Sequence, residues 1–468
     1  MVVGDFAEDL ETVVIGAGPG GYVAAIHAAE LGQKVTVIER EFIGGVCLNV
    51  GCIPSKALIE AAHHYHNALG DSSLGLSTEN VKLDFSTTQK WKGSVVHKLT
   101  SGVSGLFKKH HIDVLKGEAF LKDDHSLRVI GKDDSAQTYT FKNLIVATGS
   151  HPIEIPNFKF EGRVVDSTGA LALPKVPKEL VVIGGGYIGS ELASAYANFG
   201  SHVTIIEGLD SILSNYESDL VKVVKKQMTD KNIDIYTSAM AKKAEQTDDS
   251  VKITAEINGE TKEFTADYCI VSVGRKPNTA EMGLEQAGVK TNDRGLIEVD
   301  AQSRTNVSNI YAIGDVVPGA ALAHKASYEG KVAAEAISGK STVVDYRALP
   351  AVCYTDAQIA TTGLTLQEAK DQGLDVKKAQ FPFAANGRAI TMNATAGFVR
   401  LVFIKDYEVL VGAQIVGANA ADLITELTLA IESGATVEDV ALTIHPHPSL
   451  AEAVMDAADV GLGFPTNI

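Results

Sequence analysis

Two cysteines separated by four residues are the clearest candidates for chemistry in this sequence. They are Cys47 and Cys52. Residues five apart in a regular α-helix rise about 7.5 Å, which exceeds the ~6.8 Å upper range of Cα separation in a disulfide. The sulfurs can bond only if the backbone between them is distorted, and Gly51 and Pro54 give reasons for a distortion. Because a strained disulfide is easier to reduce than a relaxed one, the spacing predicts a redox-active disulfide.

The surroundings of Cys52 favour its thiolate, the nucleophilic form of cysteine. If Pro54 lies in the first turn of a helix, Cys52 is close to the helix N-terminus, and Lys56 falls one turn later on the same face. Two alternatives stay open for the pair. One is a pair of buried thiols without chemistry, and the other is half of a zinc site. The nearby histidines that could complete a zinc site are His63, His64 and His66.

The elements that must position the cysteines begin with a duplicated strand–turn–helix–strand pattern. Each copy has an apolar strand, a G-x-G-x-x-G turn, an alanine-containing helix that ends at glycine, and a second strand that ends in glutamate. The second copy is displaced by 168 positions, as Gly16 and Gly184 show. One such motif is a weak signal, but two in register predict two dinucleotide-binding folds. The turn glycines are Gly16, Gly18 and Gly21 in the first copy and Gly184, Gly186 and Gly189 in the second.

The glutamates that end the second strands, Glu39 and Glu207, indicate which dinucleotides would bind. The glycines let backbone amides approach a pyrophosphate at the positive end of a helix, and each glutamate would accept hydrogen bonds from ribose hydroxyls. A carboxylate repels a 2′-phosphate, and residues 208–212 contain no arginine to bind one. The second ligand is therefore expected to be NAD rather than NADP.

Length, charge and cysteine content restrict the class of protein. The 468 residues suffice for about three domains, and the formal net charge of −17 disfavours nucleic acid as a partner. No run approaches the ~20 apolar residues that span a bilayer, and about ten residues before the first strand leave no room for a signal peptide. We expect a cytoplasmic protein, or a mature form already trimmed. Cys269 and Cys353 lie in apolar runs and are expected to be inert.

Two dinucleotide folds with a C-x4-C pair after the first resemble the flavin-dependent pyridine nucleotide-disulfide oxidoreductases. The segment GVCLNVGCIPSK at 45–56 is similar to the branch that oxidises dihydrolipoamide. The resemblance covers nearly the whole chain. It implies an α/β fold with two Rossmann-like dinucleotide-binding domains and an α+β C-terminal dimerisation domain. The implied domains are an FAD-binding domain at 1–149, an NAD-binding domain at 150–275, a central domain at 276–345 that completes the FAD site, and an interface domain at 346–468.

Further motifs extend the FAD and NAD sites that the resemblance implies. The segment IYAIGD at 310–315 is similar to the family's second flavin-contact motif, with Asp315 at the place that binds the ribityl chain. Lys56, paired with Glu191, is expected near the reactive nitrogen of the flavin. The remaining cofactor contacts implied by the resemblance are Gly117, Thr148, Gly149, Ser150, Gly274 and Ala323.

The segment HPHPSLAE at 445–452 resembles the motif that carries the family's catalytic base. The resemblance makes His447 the base and Glu452 the carboxylate that orients its imidazole. Ser449-x-x-Glu452 also matches a capping box, so a purely capping role for Glu452 stays open. The role of His445 is undecided. In the family the base reaches the disulfide of the partner subunit, which implies an obligate homodimer.

The activity implied by the resemblance is the oxidation of dihydrolipoamide to lipoamide, with FAD and NAD as cofactors. Cys47 would be the interchange thiol and Cys52 the thiolate beside the flavin. The implied partners are a lipoyl domain and an acyltransferase subunit of a 2-oxo acid dehydrogenase or glycine cleavage complex. The charge of −17 suits docking onto a basic binding domain.

Two other functions remain as alternatives. A glutathione-reductase-like enzyme would use NADPH, which Glu207 disfavours. The tyrosine at 187, where dihydrolipoamide-oxidising relatives usually have an aliphatic residue, is a departure toward that alternative. A non-enzymatic flavoprotein sensor would not need the cysteines, Lys56 and His447, all of which are present.

Overall fold

The structure, a computed structural model, describes residues 7–468. The predicted FAD-binding domain includes residues 1–6, which lie outside the described part. The strands are β1 (Glu8–Ile15), β2 (Val35–Glu39), β3 (Asp113–Lys116), β4 (Glu118–Leu121), β5 (Ser126–Ile130), β6 (Ala136–Val146), β7 (Ser150–Pro152), β8 (Val164–Val165), β9 (Glu179–Ile183), β10 (His202–Ile206), β11 (Ile233–Tyr236), β12 (Ala239–Gln246), β13 (Val251–Ile257), β14 (Glu260–Ala266), β15 (Tyr268–Val271), β16 (Arg275–Pro277), β17 (Ile310–Ala312), β18 (Ala351–Cys353), β19 (Gln358–Gly363), β20 (Val376–Pro382), β21 (Phe398–Ile404) and β22 (Leu410–Gly417).

The helices follow the same chain order. None of those within residues 7–468 has the length and apolar character needed to cross a bilayer. They are α1 (Pro19–Glu30), α2 (Gly45–Val50), α3 (Cys52–Ala68), α4 (Phe85–Lys109), α5 (Ser167–Leu171), α6 (Tyr187–Asn198), α7 (Ser218–Asp230), α8 (Ala323–Ile337), α9 (Leu366–Asp371), α10 (Gly387–Thr391), α11 (Ala420–Glu432), α12 (Val437–Leu442) and α13 (Glu452–Leu462).

The first of two compact units consists of the described residues up to Leu58, Asp84–Ile153 and Gly274–Asp345. Its main sheet has the strand order β3-β2-β1-β6-β5-β4, and β17 also pairs with β6. The strands β2, β1, β6 and β17 are parallel, and α1 supplies the crossover between β1 and β2. Since the carboxyl ends of parallel strands meet at one edge, this sheet brings the turns after β1 and β17 to the same edge.

Helices α1 and α8 of the first unit pack closely against each other. A Cβ added at Gly330 in α8 would lie 2.7 Å from the Gly20 carbonyl oxygen in α1, and one added at Gly20 would lie 3.0 Å from the Ala326 carbonyl oxygen. Such distances leave no room for a side chain. The two helices can therefore approach backbone to backbone only because both positions are glycine.

The second compact unit consists of Ile59–Leu83, Glu154–Val273 and Tyr346–Ile468. It contains a parallel sheet of order β11-β10-β9-β15-β8, an antiparallel meander β12-β13-β14, and an antiparallel sheet of order β18-β19-β22-β21-β20. The last sheet forms a buried core with α11, α12 and α13. Parallel α/β layers with a separate α+β segment agree with the predicted fold class. The predicted four domain boundaries stay a prediction.

Candidate active site

The turn after β1 has a shape that only glycine permits. Gly16 has φ +101°, and a Cβ there would lie 2.3 Å from the Ala147 carbonyl oxygen. A Cβ at Gly21 would lie 1.9 Å from the Gly16 carbonyl oxygen. At Gly18 the nearest atom to an added Cβ is 3.9 Å away, so the space beside the N-terminus of α1 is open. This cradle fits a pyrophosphate, which backbone amides would bind at the positive helix end.

The turn after β9 repeats this geometry. Gly184 has φ +98°, and a Cβ there would lie 2.3 Å from the Ser272 carbonyl oxygen. A Cβ at Gly189 would lie 2.1 Å from the Gly184 carbonyl oxygen, and nothing lies within 4 Å of one at Gly186. The residues present therefore fit a second dinucleotide.

The two predicted ribose-binding glutamates each brace their own turn. Glu39 accepts hydrogen bonds from the backbone amides of Ala17 at 2.7 Å and Glu41 at 2.7 Å. Glu207 accepts them from Gly185 at 2.6 Å and Leu209 at 2.8 Å. Each carboxylate is therefore fixed at the end of its strand, where ribose hydroxyls could add to its remaining lone pairs.

The strand edge of the first unit also carries Asp315. Its carboxylate accepts a 2.6 Å hydrogen bond from the Ser150 hydroxyl, and Arg275 donates to that hydroxyl at 2.8 Å and to the Ser150 carbonyl oxygen at 2.6 Å. Thr148 and Asn278 exchange hydrogen bonds at 2.7 and 2.8 Å. Arg275 and Asn278 were not predicted as site residues, although both belong to the GRKPN segment at 274–278.

Gly117 lies beside the end of β2, because its amide donates to the Glu39 carbonyl oxygen at 3.1 Å. It lines a cavity of about 440 Å³ together with Arg40, Phe120 and Lys132. Ala323, another predicted contact, is the first residue of α8. These positions are compatible with the predicted FAD contacts, whose roles stay a prediction.

The cysteine segment is broken as the spacing predicted. Helix α2 ends before Gly51, whose φ of −139° and ψ of −112° are not helical, and α3 begins at Cys52. A Cβ at Gly51 would lie 2.9 Å from the Val46 carbonyl oxygen. Pro54 lies in the first turn of α3, and Cys52 is at its N-terminus. The helix distortion and the placement of Cys52 are both confirmed.

The two cysteine side chains lie within hydrogen-bond reach of each other. Both are thiols in the structure, with Cys47 partly buried and Cys52 exposed. The hydrogen bond to Cys52 and burial raise the pKa of the Cys47 thiol well above its usual value, although the charge of Lys56 opposes this rise. The hydrogen bond and burial thus both disfavour loss of the proton from Cys47.

The cysteine segment also touches the first glycine turn. A Cβ at Gly45 would lie 2.5 Å from the Gly18 Cα, and the Gly44 amide donates to the Ala17 carbonyl oxygen at 2.8 Å. The start of α2 thus lies directly on the turn that would hold the pyrophosphate. Only a residue without a side chain fits at this contact.

His447 and Glu452 form the second cluster of chemical groups. The His447 Nδ1 atom lies 2.8 Å from Glu452 Oε1, and the imidazole is 80% exposed whereas the carboxylate is mostly buried. Glu452 Oε2 accepts from the Ser449 amide at 2.7 Å, and the Glu452 amide donates to the Ser449 hydroxyl at 3.3 Å. One oxygen of Glu452 therefore contacts His447 and the other contacts Ser449, although α13 begins at Glu452 with Ala451 at its N-cap, so Ser449 is not the capping residue of this helix.

The charge state of Glu452 suits both contacts. Burial alone would raise its pKa, but the Ser449 amide and His447 outweigh burial and hold the pKa below its usual value. An ionised carboxylate accepts both hydrogen bonds and leaves the second ring nitrogen of His447 available to a substrate proton.

Comparisons with known proteins match this arrangement over almost the whole chain. The family model described as pyridine nucleotide-disulphide oxidoreductase matches residues 10–330, and the model of that family's dimerisation domain matches residues 349–458. The chain belongs to the pyridine nucleotide-disulphide oxidoreductase family. The predicted family and fold class are confirmed.

Individual relatives of this family are similar over their full length. The chain is 60% identical to the dihydrolipoyl dehydrogenase of Geobacillus stearothermophilus, covering 100% of this chain and 99% of the relative. It is 57% identical to the dihydrolipoyl dehydrogenase of Bacillus subtilis, covering 100% of both chains. The crystal structure of LpdA from Mycobacterium tuberculosis superposes with a TM-score of 0.90 at 25% identity, covering 96% of this chain and 99% of that one.

Other residues predicted for this family site are placed as follows. Glu191 is buried in α6, and its Oε1 accepts from the Tyr354 amide at 2.9 Å. Tyr187 is partly exposed at the first position of the same helix. Lys56 belongs to the first unit and Glu191 to the second, so their predicted pairing stays a prediction.

Two of the three histidines considered for a zinc site have other partners. His63 Nε2 lies 2.6 Å from Asp356 and His64 Nε2 lies 3.1 Å from Glu60. His445, whose role was undecided, is buried between Glu426 at 2.8 Å and the Thr443 carbonyl oxygen at 2.7 Å. No cluster of three or more His, Cys, Asp or Glu able to hold a metal ion occurs within residues 7–468.

The two remaining cysteines are fully buried, as predicted. Cys269 lies in β15 and Cys353 in β18. Burial raises the pKa of the Cys269 thiol, which disfavours the reactive thiolate. Their lack of reactivity stays a prediction.

Proposed function

We propose that the protein oxidises protein-bound dihydrolipoamide to lipoamide and reduces NAD⁺ to NADH. The observation that carries the proposal is the Cys47–Cys52 pair, which lies at a helix break directly on a dinucleotide-binding turn. Full-length relatives with 57–60% identity that are named dihydrolipoyl dehydrogenase support it. FAD and NAD are the cofactors of this activity.

The residues present fit both cofactors. FAD would be held by the first glycine turn, Glu39, Lys56, Asp315 and the backbone near Gly117, Thr148, Gly149, Ser150 and Ala323. NAD would be held by the second glycine turn, Glu191 and Glu207. When bound, FAD accepts an electron pair from a thiolate and passes a hydride to NAD⁺.

The dithiol step begins with His447, because a neutral thiol attacks a disulfide poorly. His447 takes a proton from dihydrolipoamide, and the new thiolate attacks Cys47 Sγ in the Cys47–Cys52 disulfide. The Cys47–Cys52 bond breaks and Cys52 leaves as thiolate. The second substrate sulfur then attacks the first, releases lipoamide, and returns the electron pair of the mixed disulfide to Cys47, which takes up the second proton. The substrate has then lost two electrons and two protons.

In the reduced pair, the proposed reaction needs a protonated Cys47 and a thiolate at Cys52. The hydrogen bond to Cys52 and burial raise the pKa of Cys47, which suits a protonated Cys47 that donates to a thiolate at Cys52. Cys52 at the N-terminus of α3 also benefits from the helix dipole. We assign Cys47 as the interchange thiol and Cys52 as the thiolate that donates the electron pair.

The match to the dimerisation-domain model and the exposure of the base support a homodimer. His447 is 80% exposed in one chain and lies within residues 349–458, the segment matched by the dimerisation-domain model. We propose that it acts on the disulfide of a partner subunit, so that one chain alone has no complete active site. A lipoyl domain and an acyltransferase subunit of a 2-oxo acid dehydrogenase or glycine cleavage complex are the proposed partners.

Anaerobic titration tests the proposed function. Dihydrolipoamide added to the purified holoprotein is expected to produce a long-wavelength absorbance from the thiolate–flavin pair, and NAD⁺ is expected to remove it with formation of NADH. A preference for glutathione disulfide with NADPH would replace the proposal by the reductase alternative. A flavoprotein that dithiol fails to reduce would instead indicate a sensor.

The role of His447 is tested separately from the role of the cysteines. His447→Gln is expected to slow reduction by dihydrolipoamide by about 10²- to 10⁴-fold, the usual contribution of a general base. Oxidation of NADH by an artificial electron acceptor does not use the base and is expected to be unchanged. Equal slowing of both reactions would show that the substitution damages the fold rather than proton transfer.

A further inference from the structure

A buried ion pair lies in α8, with its two members one turn apart on the same helix. Lys325 Nζ and Glu329 Oε1 are 2.7 Å apart, and the side chains are only 1% and 7% exposed. Two charges lose their hydration when they are buried, and replacing a buried pair by apolar residues often leaves stability unchanged or improves it. The pair therefore needs another explanation than stability.

Both members of the pair contact the residue before Asp315. Glu329 Oε2 accepts from the Gly314 amide at 2.8 Å, and Lys325 Nζ lies 3.5 Å from the Gly314 carbonyl oxygen. Gly314 has φ +77°, a conformation that glycine adopts without strain. A Cβ at Gly319 would lie 2.9 Å from Lys325 Cε, so the lysine stem is also held closely. The pair thus holds both peptide groups of Gly314, because Glu329 accepts from its N–H and Lys325 contacts its carbonyl oxygen, directly before Asp315.

The carboxylate of Asp315 is held independently at its other end. The Ser150 hydroxyl donates to Oδ2 at 2.6 Å, and Arg275 holds Ser150 in turn. The Asp315 side chain is therefore held through Ser150, and the residue before it, Gly314, is held through Glu329. A flavin contact fixed from both directions loses little freedom when a ligand binds.

We infer that Lys325 and Glu329 are positioning residues for FAD, acting through the Gly314 amide to hold Asp315 in the orientation that binds the ribityl chain. The inference rests on the proposed function only in taking Asp315 as a flavin contact. Burial raises the pKa of Glu329 and the charge of Lys325 opposes this rise, so Lys325 favours the ionised carboxylate that accepts from Gly314.

Two double variants that differ only in one acceptor test this role. Lys325→Met with Glu329→Gln removes both charges but keeps a side-chain oxygen for the Gly314 amide. Lys325→Met with Glu329→Met removes the acceptor as well at similar volume. FAD binding to the apoprotein of the full chain is measured by flavin fluorescence, and the absorption bands of the bound flavin are recorded.

The Gln variant is expected to bind FAD nearly as the native protein does, whereas the Met variant is expected to bind it about tenfold or more weakly, as loss of one buried hydrogen bond predicts. The flavin bands are expected to shift only in the Met variant. Equal FAD affinity in the two variants, whether native or weakened, would overturn the inference. Neither measurement uses dihydrolipoamide, so a failure of the proposed function is seen separately.

A second ion pair, of which only the arginine is buried, provides the control. Arg400 in β21 is 2% exposed and pairs with Glu217 at 3.0 Å, and both belong to the second unit. Arg400→Met is expected to lower the denaturation midpoint without changing FAD affinity. A loss of FAD as large as in the double Met variant would show a general effect of buried charge and overturn the inference.

A shorter acid covers the case in which the double Met variant does not fold. Glu329→Asp keeps a negative charge for Lys325 but shortens the reach to the Gly314 amide. Weaker FAD binding by this variant, with an unchanged circular dichroism spectrum, supports the positioning role. Native FAD affinity would contradict it.

Discussion

The two glycine turns have the same internal geometry but different surroundings. Gly16 and Gly184 have φ angles of +101° and +98°, and each is closed by a carbonyl oxygen 2.3 Å from an added Cβ. The paired strands have the same register, with Val14 opposite Val37 and Val182 opposite Ile205. The shared part of the pattern therefore accounts for dinucleotide binding in both units.

The difference lies in the segment that follows the second strand. In the first unit Gly44 and Gly45 lie against the turn and lead into the cysteine helix. In the second unit the Leu213 amide donates to the Gly185 carbonyl oxygen at 2.8 Å, and a Cβ at Gly185 would lie 2.5 Å from the Ile212 side chain. One turn is covered by backbone that carries a dithiol, and the other by an aliphatic side chain.

The repeated motif therefore specifies the class of ligand, and the segment that follows the second strand specifies the chemistry. A turn built to accept a pyrophosphate is chemically inert by itself. The first unit becomes a redox centre because its covering segment has glycines at the contact and cysteines on either side of a helix break.

The largest expected effect comes from removing the feature that only the first unit has. Cys47→Ser is expected to reduce dihydrolipoamide oxidation by more than about 10³-fold, because no disulfide can form and covalent catalysis is lost. Steady-state assays with dihydrolipoamide and NAD⁺ measure this loss. Cys269→Ser in the second unit is the control, with expected turnover within about threefold of native. Native turnover by Cys47→Ser would rule out the dithiol mechanism.

The matched glycines give the next largest effect. Gly21→Ala and Gly189→Ala each place a Cβ about 2 Å from a carbonyl oxygen. The strain of roughly 2–3 kcal/mol corresponds to about 10²-fold in affinity. Gly21→Ala is expected to purify with little FAD, and Gly189→Ala to keep FAD but show a KM for NAD⁺ raised about 10²-fold. The reverse pattern would mean that the ligands of the two turns are exchanged.

Substitution of the glutamates that accept hydrogen bonds from the two turns distinguishes the NAD site from the FAD site. In Glu207→Gln the amide NH₂ would face the Gly185 or the Leu209 amide, so one charge-assisted hydrogen bond is lost. We expect the KM for NAD⁺ to rise about tenfold and the discrimination against NADPH to fall. Glu39→Gln is the matched variant and should leave both nicotinamide constants unchanged. Steady-state kinetics with NAD⁺ and NADPH measure these constants. An unaltered KM for NAD⁺ in Glu207→Gln would show that Glu207 does not bind NAD.

The smallest effect concerns a histidine and two carboxylates near the amino ends of β9, β10 and β11. His202 contacts Glu179 at 2.7 Å and Asp234 at 3.2 Å, and the Glu179 hydrogen bond raises its pKa above 6.5. Its stabilisation is therefore full below pH 6.5 and is lost as pH rises through the raised pKa. Because these groups are about one-third to one-half exposed, the contribution is at most ~0.5 kcal/mol.

Thermal unfolding of His202→Gln measures this contribution against the first unit. The difference from the native protein is expected to be largest at pH 6 and close to zero at pH 9. Lys34 holds the matching position in the first unit, which therefore has no imidazole there. Lys34→Gln is therefore expected to show a difference that does not change with pH. A pH-independent difference for His202→Gln would contradict the assignment.

The sequence predicts the parts of this site that are local in the chain. The glycine turns, the glutamates at the strand ends and the helix break at Gly51 all follow from neighbouring residues, because backbone sterics act over a few positions. Ser150 and Asp315, which are 165 positions apart, could be assigned only by resemblance, and their hydrogen bond appears only after folding.

Two other features could not be derived from the sequence for related reasons. Lys325 and Glu329 look like an ordinary exposed i,i+4 pair, and nothing local shows that α8 buries them. The contacts of Glu452 with His447 and Ser449 are the other, because a sequence does not show that the two carboxylate oxygens have separate partners.

The contact between Gly45 and Gly18 limits how a protein of this kind can diverge. With 2.5 Å between an added Cβ and the Gly18 Cα, a substitution at Gly45 disturbs the coenzyme turn and the dithiol at once. Mutations at this point cannot discard one capability and spare the other. A lineage that gives up sulfur chemistry is released from this restriction only after the whole segment has been remodelled.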